Sequence, residues 1–266
     1  MIHAVVTGAT GRMGQRIIRL LQDEEGIRLS GALERTDHPD AGKDIGELIG
    51  IGTQGIPLST NVEDLLSGCD VFIDFTLPEA TLPLFRKVSR AGISMVIGTT
   101  GFSDDQIALF RDAAAKTPHL LAPNMSVGVN LLFKILPEIA AALGPDYDVE
   151  ILEAHHRFKK DAPSGTAVKL AEVIAKALHR NPETACVHGR HGLAGARTKE
   201  EIGMHAVRGG DIVGDHRVMF CGIGERVEIV HSASSRDTFA RGAVRAAKWI
   251  VGKPAGLYSM LDVLEM

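Results

Sequence analysis

Residues Glu153 to Ala167 read EAHHRFKKDAPSGTA, packing two histidines, two lysines, an aspartate and a Pro-Ser-Gly-Thr helix start into one short run. Polar groups at this density are awkward to bury and serve little purpose in a plain loop. Proton donors beside free backbone N–H groups suit a small anionic substrate that must be protonated. His155 and His156 fall where a strand should end, and neighbours on a strand face opposite ways, so the two should have different jobs. With Lys159 and Lys160 they form a cationic site suited to proton donation. Lys160 reads equally well as surface charge, and Asp161 as a counter-ion or cap rather than a base. In the DAPSGTA segment the proline blocks a helix before it, Ser164 or a neighbour caps, and a helical pattern runs from Thr166 to about Leu178. Gly165 and Thr166 would then offer N–H groups to a substrate carboxylate, with no acid in the first turn to repel it. Taken alone, PSGT reads as an ordinary capped helix start.

Two other chemistries fit less well. Glu153, His155 and His156 carry metal-ligand atoms, but adjacent histidines lack the helical i, i+4 spacing and no second cluster completes a set, so no metal is expected. A nucleophilic Ser164 would need a GxSxG elbow, which Pro-Ser-Gly-Thr does not supply.

A second motif opens the chain. Val5-Val6-Thr7 leads into Gly8-Ala9-Thr10-Gly11-Arg12-Met13-Gly14, a strand, a glycine-rich turn and a helix, which is the context of a dinucleotide site. Gly8 allows the tight turn, Gly11 lets backbone approach a pyrophosphate and Gly14 lets helix and strand pack closely. The spacing is GxxGxxG rather than GxGxxG, and in a chain with 29 glycines the turn alone carries little weight. Glu34, closing the second strand 20 residues beyond Gly14, stands where an acid binds ribose hydroxyls. Arg35 follows and could pair with a 2′-phosphate, so the dipeptide is compatible with NADH and NADPH; a solvated strand end is the bland alternative. Ligands of open α/β sheets bind at the carboxyl ends of strands. That adds Gly98, Thr99 and Thr100 after one strand, and Ala122, Pro123, Asn124 and Met125 after another, as contacts for ribose and nicotinamide carboxamide. Asp74-Phe75-Thr76 ends a strand too, but capping by Thr76 ahead of Pro78 explains it nearly as well.

The elements that must position these motifs are legible in outline. Apolar runs at Ile2–Thr7, Leu29–Leu33, Val71–Phe75, Ser94–Ile97 and His119–Ala122 alternate with helices starting near Gly11, Pro78 and Ser103, as in a doubly wound parallel sheet. After Asn124 the texture changes. A long amphipathic helix near Val129–Leu143 and a strand Asp148–Ala154 lead into the histidine run. Short β-rich runs follow at Met204–Arg208, Arg217–Cys221 and Arg226–His231, the last two joined by a hairpin. The fold class is therefore α/β. It comprises a Rossmann-like doubly wound N-terminal domain completed by the C-terminal helix Thr238–Ile250, and an α+β second domain with a mixed or antiparallel sheet. The expected boundaries are 1–126 with 236–266 for the first and 127–235 for the second. Hinges are expected near Asn124–Gly128 and Ser232–Asp237, with domain closure.

Composition narrows the classes. With 266 residues, two domains are the natural prior. A hydrophobic share of 45%, a charged share of 23% and a net charge of −4 lack the basic excess of a nucleic-acid binder. Cys69, Cys186 and Cys221 lie far apart without CxxC pairing, which fits a reducing cytoplasm. The apolar start without a charged n-region, and the lack of an evident bilayer-length run, predict a protein neither secreted nor membrane-anchored.

Taken together, the Gly8–Gly14 turn, Gly98-Thr99-Thr100-Gly101 and the run Glu153–Thr166 resemble the 4-hydroxy-tetrahydrodipicolinate reductase family, formerly called dihydrodipicolinate reductases. The similarity extends through Val207–His216 and Ser232–Gly242, and HHxxKxDAPSGT is its most specific element. It implies hydride transfer from NADPH or NADH to a small cyclic dicarboxylate, with release of water, in diaminopimelate and lysine biosynthesis. It implies Lys159 as proton donor and His155 as proton donor or acceptor. His156 and the Ser164-Gly165-Thr166 helix start would be substrate contacts. The resemblance also implies a cytoplasmic homotetramer built through the second domain's sheet. A different two-domain NAD(P)H dehydrogenase would instead be marked by a catalytic Cys or an isolated Lys. A non-enzymatic redox sensor would bind nucleotide without turnover and leave the His-Lys cluster unexplained.

Overall fold

Val71–Asp74 and Ser94–Ile97 are buried at every position, which only a sheet covered on both faces allows. The structure, a computed structural model, describes residues 1–265, and among these two sheets form. The first has seven strands, all parallel: β1 Ile2–Thr7, β2 Ile27–Leu33, β3 Leu58–Ser59, β4 Val71–Asp74, β5 Ser94–Ile97, β6 Pro118–Leu121 and β12 Gly256–Tyr258. Their order is β12-β6-β5-β4-β1-β2-β3, so the chain reverses direction across the sheet between β1 and β4. Helices α1 Arg12–Leu21, α2 Ile45–Ile49, α3 Glu63–Leu66, α4 Pro78–Arg90 and α5 Asp104–Ala114 make the connections. In α1, Gly14, Ile17, Ile18 and Leu21 recur at helical spacing and form its buried stripe.

The second sheet is mixed, in the order β11-β10-β7-β9-β8. Its strands are β7 Asp148–His155, β8 Cys186–His188, β9 Ile202–Arg208, β10 Gly214–Cys221 and β11 Arg226–Ala233. Strand β7 runs parallel to β9 and antiparallel to β10. One face is covered by α6 Val127–Leu143 and α7 Gly165–Ala177, with Leu132, Leu136, Ala171 and Ile174 against Val149, Ile151 and Phe220; α8 Pro182–Ala185 precedes β8. A turn in which the Gly222 N–H donates to the Glu225 carbonyl joins β10 to β11, as the hairpin pattern predicts.

The chain divides into two compact units, Met1–Val127 with Arg236–Met266 and Gly128–Ser235. Helix α9 Asp237–Ile250 returns to the first sheet, burying Ala240, Ala243, Val244, Ala247 and Ile250 in the same core as β1 and α1. Gly242 is required there, because a Cβ would run into the Met125 carbonyl. Strand β12 and α10 Met260–Val263 then finish that unit. Sequence periodicity gave no sign of β3, β8, β12, α2, α3, α8 or α10, all too short to repeat a pattern.

One expectation is corrected. Val127–Asp146 is 20 residues long with mean hydropathy 1.5, long and apolar enough by composition to cross a bilayer. Lys134 and Glu138 interrupt its apolar run. Leu132, Leu136 and Ala140 nevertheless pack in the second unit's core, as in a core helix.

Candidate active site

Strand β7 delivers the histidine run, and pleating puts Glu153 and His155 on one face of it. Glu153 is 1% exposed and sits directly opposite His216 of β10 and Ala206 of β9. Its carboxylate accepts from His155 Nδ1 at 2.6 Å, from the Ser164 N–H at 3.0 Å, and from both terminal nitrogens of Arg208 at 2.8 and 2.7 Å. Burial pushes its pKa up, but Arg208, His155 and the Ser164 N–H outweigh that and hold it below the usual carboxylate range. His155 is shifted down, chiefly by burial, with Glu153 pulling the other way and Lys159 and Arg208 adding to the depression. The His155 and His216 rings meet edge to face at 5.3 Å. Burial, aided by His155 and His231, takes His216 down to about 4.

Lys159 pairs with Asp161 at 2.9 Å, the counter-ion role predicted, while Lys160 is exposed. Arg208 also donates to the Asp161 carbonyl at 2.7 Å, tying that pair to the Glu153 cluster. His156 lies just past β7, its Nδ1 buried and without a hydrogen-bond partner among the described residues. Phe158 beside it is 78% exposed.

Ser164 caps α7, its hydroxyl accepting from the Ala167 N–H at 3.2 Å and meeting His216 Nε2 at 3.2 Å. The helix begins at Gly165, one residue earlier than the pattern suggested. Only 2% of Ser164 is exposed, so its side chain belongs to the scaffold. Gly165 is exposed, and nothing lies within 4 Å of where a Cβ would stand. Thr166 follows in the first turn, which holds no acid. That helix end suits an anion.

In the first unit, Gly8 adopts φ +58°, and the Gly11 N–H closes a turn onto the Gly8 carbonyl at 2.9 Å. A Cβ on Gly14 would strike the Gly8 carbonyl and the Ala9 backbone, so Gly8 makes the tight turn and Gly14 the close helix–strand packing that the motif predicts. Gly11 supplies no side-chain cap to α1, and Arg12 and Met13 open the helix with no acid in its first turn. The residues present therefore fit a pyrophosphate at this helix end. Thr10 does something else. Its N–H and hydroxyl donate to Glu34 at 3.0 and 2.7 Å, binding the acid to the turn. Arg35 lies on the surface, bonded to both carboxylate oxygens of Asp37. Beside the turn, Thr10, Arg12, Arg16, Arg19 and Arg236 line a cleft of about 460 Å³. Burial and the Arg12 and Arg16 charges lower the Arg236 pKa. Arg236 was invisible to the motif because it reaches the turn from the far end of the chain.

Asp74, at the end of β4, is fully buried. Among the described residues it accepts from four threonine hydroxyls: Thr7 at 2.5 Å, Thr76 at 2.8 Å, Thr81 at 2.6 Å and Thr99 at 2.8 Å. Thr76 therefore serves Asp74 and does not cap α4, whose N-cap is Leu77. Thr99 likewise points inward, leaving the backbone of Gly98 and the exposed Thr100 toward the strand ends. Gly98 has no room for a side chain against the Phe75 ring. Ala122 and Met125 are buried, Pro123 is exposed, and the Asn124 side chain accepts from the Ser126 N–H at 2.8 Å. Met125 thus has only backbone to offer a ligand.

Comparison with known proteins agrees over the whole chain. Residues 2–125 match the family model described as dihydrodipicolinate reductase, N-terminus, and residues 128–264 match the one described as dihydrodipicolinate reductase, C-terminus. The 4-hydroxy-tetrahydrodipicolinate reductase of Syntrophus aciditrophicus is 53% identical over 264 residues, covering 99% of this chain and 98% of the relative. That of Geotalea daltonii is 53% identical over 266 residues, covering 100% of both. Among solved structures, a dipicolinate-bound dihydrodipicolinate reductase from Paenisporosarcina sp. TG-14 superposes with a TM-score of 0.76 at 29% identity, covering 98% of each chain. A glycine turn of this geometry, a histidine-lysine run ordered by a buried glutamate, and matches spanning both units lead to one conclusion: the chain belongs to the dihydrodipicolinate reductase family.

Proposed function

We propose that the chain reduces 4-hydroxy-tetrahydrodipicolinate to tetrahydrodipicolinate with NAD(P)H and loss of water, a step of the diaminopimelate route to lysine. The observation that supports this best is the gathering of His155, the Lys159–Asp161 pair and the open start of α7 around Glu153 and Arg208. That constellation offers a proton and a carboxylate cradle together. A bound nicotinamide supplies the hydride. Lys159 is the proton donor, held in place by Asp161. The backbone at Gly165 and Thr166 takes a substrate carboxylate at the positive end of the α7 dipole, and the buried Nδ1 edge of His156 supplies a further polar contact.

For the cofactor, the Gly8–Met13 turn holds the pyrophosphate, and Gly98–Thr100 with the Ala122–Met125 backbone hold ribose and carboxamide. Glu34 reaches ribose through the turn it already braces, and Arg35 is free to leave Asp37 for a 2′-phosphate, so the site accepts NADPH as well as NADH. Residues 1–126 with 236–266 form the dinucleotide-binding part, and 127–235 the substrate-binding and oligomerisation part. The homotetramer forms through the second sheet's uncovered face, where Leu152, Arg217 and Val230 lie in one cross-strand row. The enzyme works in the cytoplasm, where its three free thiols remain reduced.

The test is oxidation of NADPH and NADH, followed by absorbance, with substrate generated in situ from pyruvate and aspartate semialdehyde. Generator-dependent oxidation is the expected result. Nucleotide binding without it would move the weight to another dehydrogenase or a sensor.

A further inference from the structure

We propose that Glu153 is the positioning residue of this site, fixing His155 with its proton on Nδ1 and a bare Nε2, so that His155 is the acceptor and Lys159 the proton donor. The catalytic part of this rests on the function proposed above; the tautomer does not.

Glu153 is walled off from water, and its two oxygens already serve four donors: the Ser164 N–H, two Arg208 nitrogens and His155. The backbone amide and the guanidinium can only donate, and with Arg208 alongside they hold the carboxyl below the usual carboxylate range, which leaves the proton it shares with His155 on the ring. It is therefore an ionised, accept-only group, and the 2.6 Å contact requires the hydrogen to sit on His155 Nδ1. In the neutral ring Nε2 is then left bare.

The surroundings keep the ring neutral. Burial disfavours imidazolium, and Lys159 and Arg208 add to that against the pull of Glu153. The remaining ring facing it, His216, is itself neutral near pH 7, with His231 behind it at 6.4 Å. The bare edge is also kept clear. Gly214 lies against it, and a Cβ there would stand 3.1 Å from Nε2.

The same carboxylate sets the rest of the constellation. Through the Ser164 N–H it registers the start of α7 against the imidazole. Through Arg208, which also holds the Asp161 carbonyl, it registers the partner of Lys159. One residue thus aligns acceptor, donor and carboxylate cradle, as outer-shell carboxylates orient histidines elsewhere.

Two measurements test this. In protein labelled with 15N-histidine, the His155 signals, assigned by their loss in His155→Gln, should show a protonated Nδ1 and a bare Nε2 near neutral pH. A bare Nδ1 would overturn the proposal whatever the enzyme's activity. In Glu153→Gln the amide cannot serve all four donors, so kcat should fall about tenfold or more while KM for NADPH stays within about twofold. Losing the neighbouring negative charge should also move the acid limb of kcat/KM to lower pH, because imidazolium becomes harder to form. An unchanged kcat, or a limb that stays put, counts against Glu153 as the positioning residue. If Glu153→Gln does not fold, the wild-type spectrum decides. A bare Nε2 in a wild-type protein that does not turn over the generated substrate would support the tautomer and remove the function.

Discussion

Lys159 is flanked by chemistry that the two strand-end residues before it cannot provide alone. Its ammonium pairs with Asp161 at 2.9 Å; in the function proposed above it delivers a proton and takes no part in nucleotide binding. Lys159→Ala should therefore lower kcat about a hundredfold or more while leaving NADPH affinity nearly unchanged. Stopped-flow turnover and direct nucleotide titration separate the two, and equal losses in both would indicate a folding defect. Arg35 invites the opposite test. Its exposed pairing with Asp37 is worth little to stability. Arg35→Ala should weaken NADPH more than NADH, and an unaltered ratio of affinities would remove it from phosphate recognition.

At the scale of elements, the ends of β1, β4 and β5 are clamped together by Asp74. Its threonines come from β1, from the loop after β4, from α4 and from the loop after β5. These are the segments that carry the glycine turn and Gly98–Thr100, at the point where the strand order reverses. Replacing Asp74 by Ala would leave three buried hydroxyls, of Thr7, Thr81 and Thr99, and the half-buried one of Thr76 without this acceptor. The expected cost is on the order of 3 kcal/mol or more, read from urea unfolding. Thr99→Val, which removes one of the four bonds, should cost about 1 kcal/mol. Similar values for both variants would mean that the hydroxyls find other partners.

Across the whole molecule, each unit buries a neutral histidine. His119 lies against Phe85 at 4.7 Å, and burial takes it from 6.5 to about 4; His216 in the second unit falls equally far. Below about pH 6.5 the unfolded chain takes up protons that the folded chain refuses, so unfolding gains. The contribution is therefore complete above that pH and shrinks as pH falls toward 4. Each histidine is worth on the order of 3 kcal/mol across the window. Urea midpoints should drop between about pH 7 and about pH 5, before most carboxylates titrate. A flat profile over that range would contradict two neutral buried imidazoles.

What the sequence determined by itself was local. The glycine turn, the histidine-lysine run, the PSGT cap and the main strands and helices each occupy a few consecutive residues, where periodicity and turn chemistry are written directly. The hairpin after Cys221 was legible for the same reason, and α9 was legible as a helix with one apolar face. Tertiary structure decided which distant groups complete those motifs. Glu153 reads as one more carboxylate until strand register sets His216 opposite it and brings Arg208 from β9. Asp74 reads as a strand end until threonines from separate elements close on it. Arg236 joins Arg12 and Arg16 only because α9 packs beside α1. Thr10 and Thr99 show the converse, since folding spends their side chains on Glu34 and Asp74. Such pairings depend on register and packing between segments remote in sequence, and no local pattern encodes them.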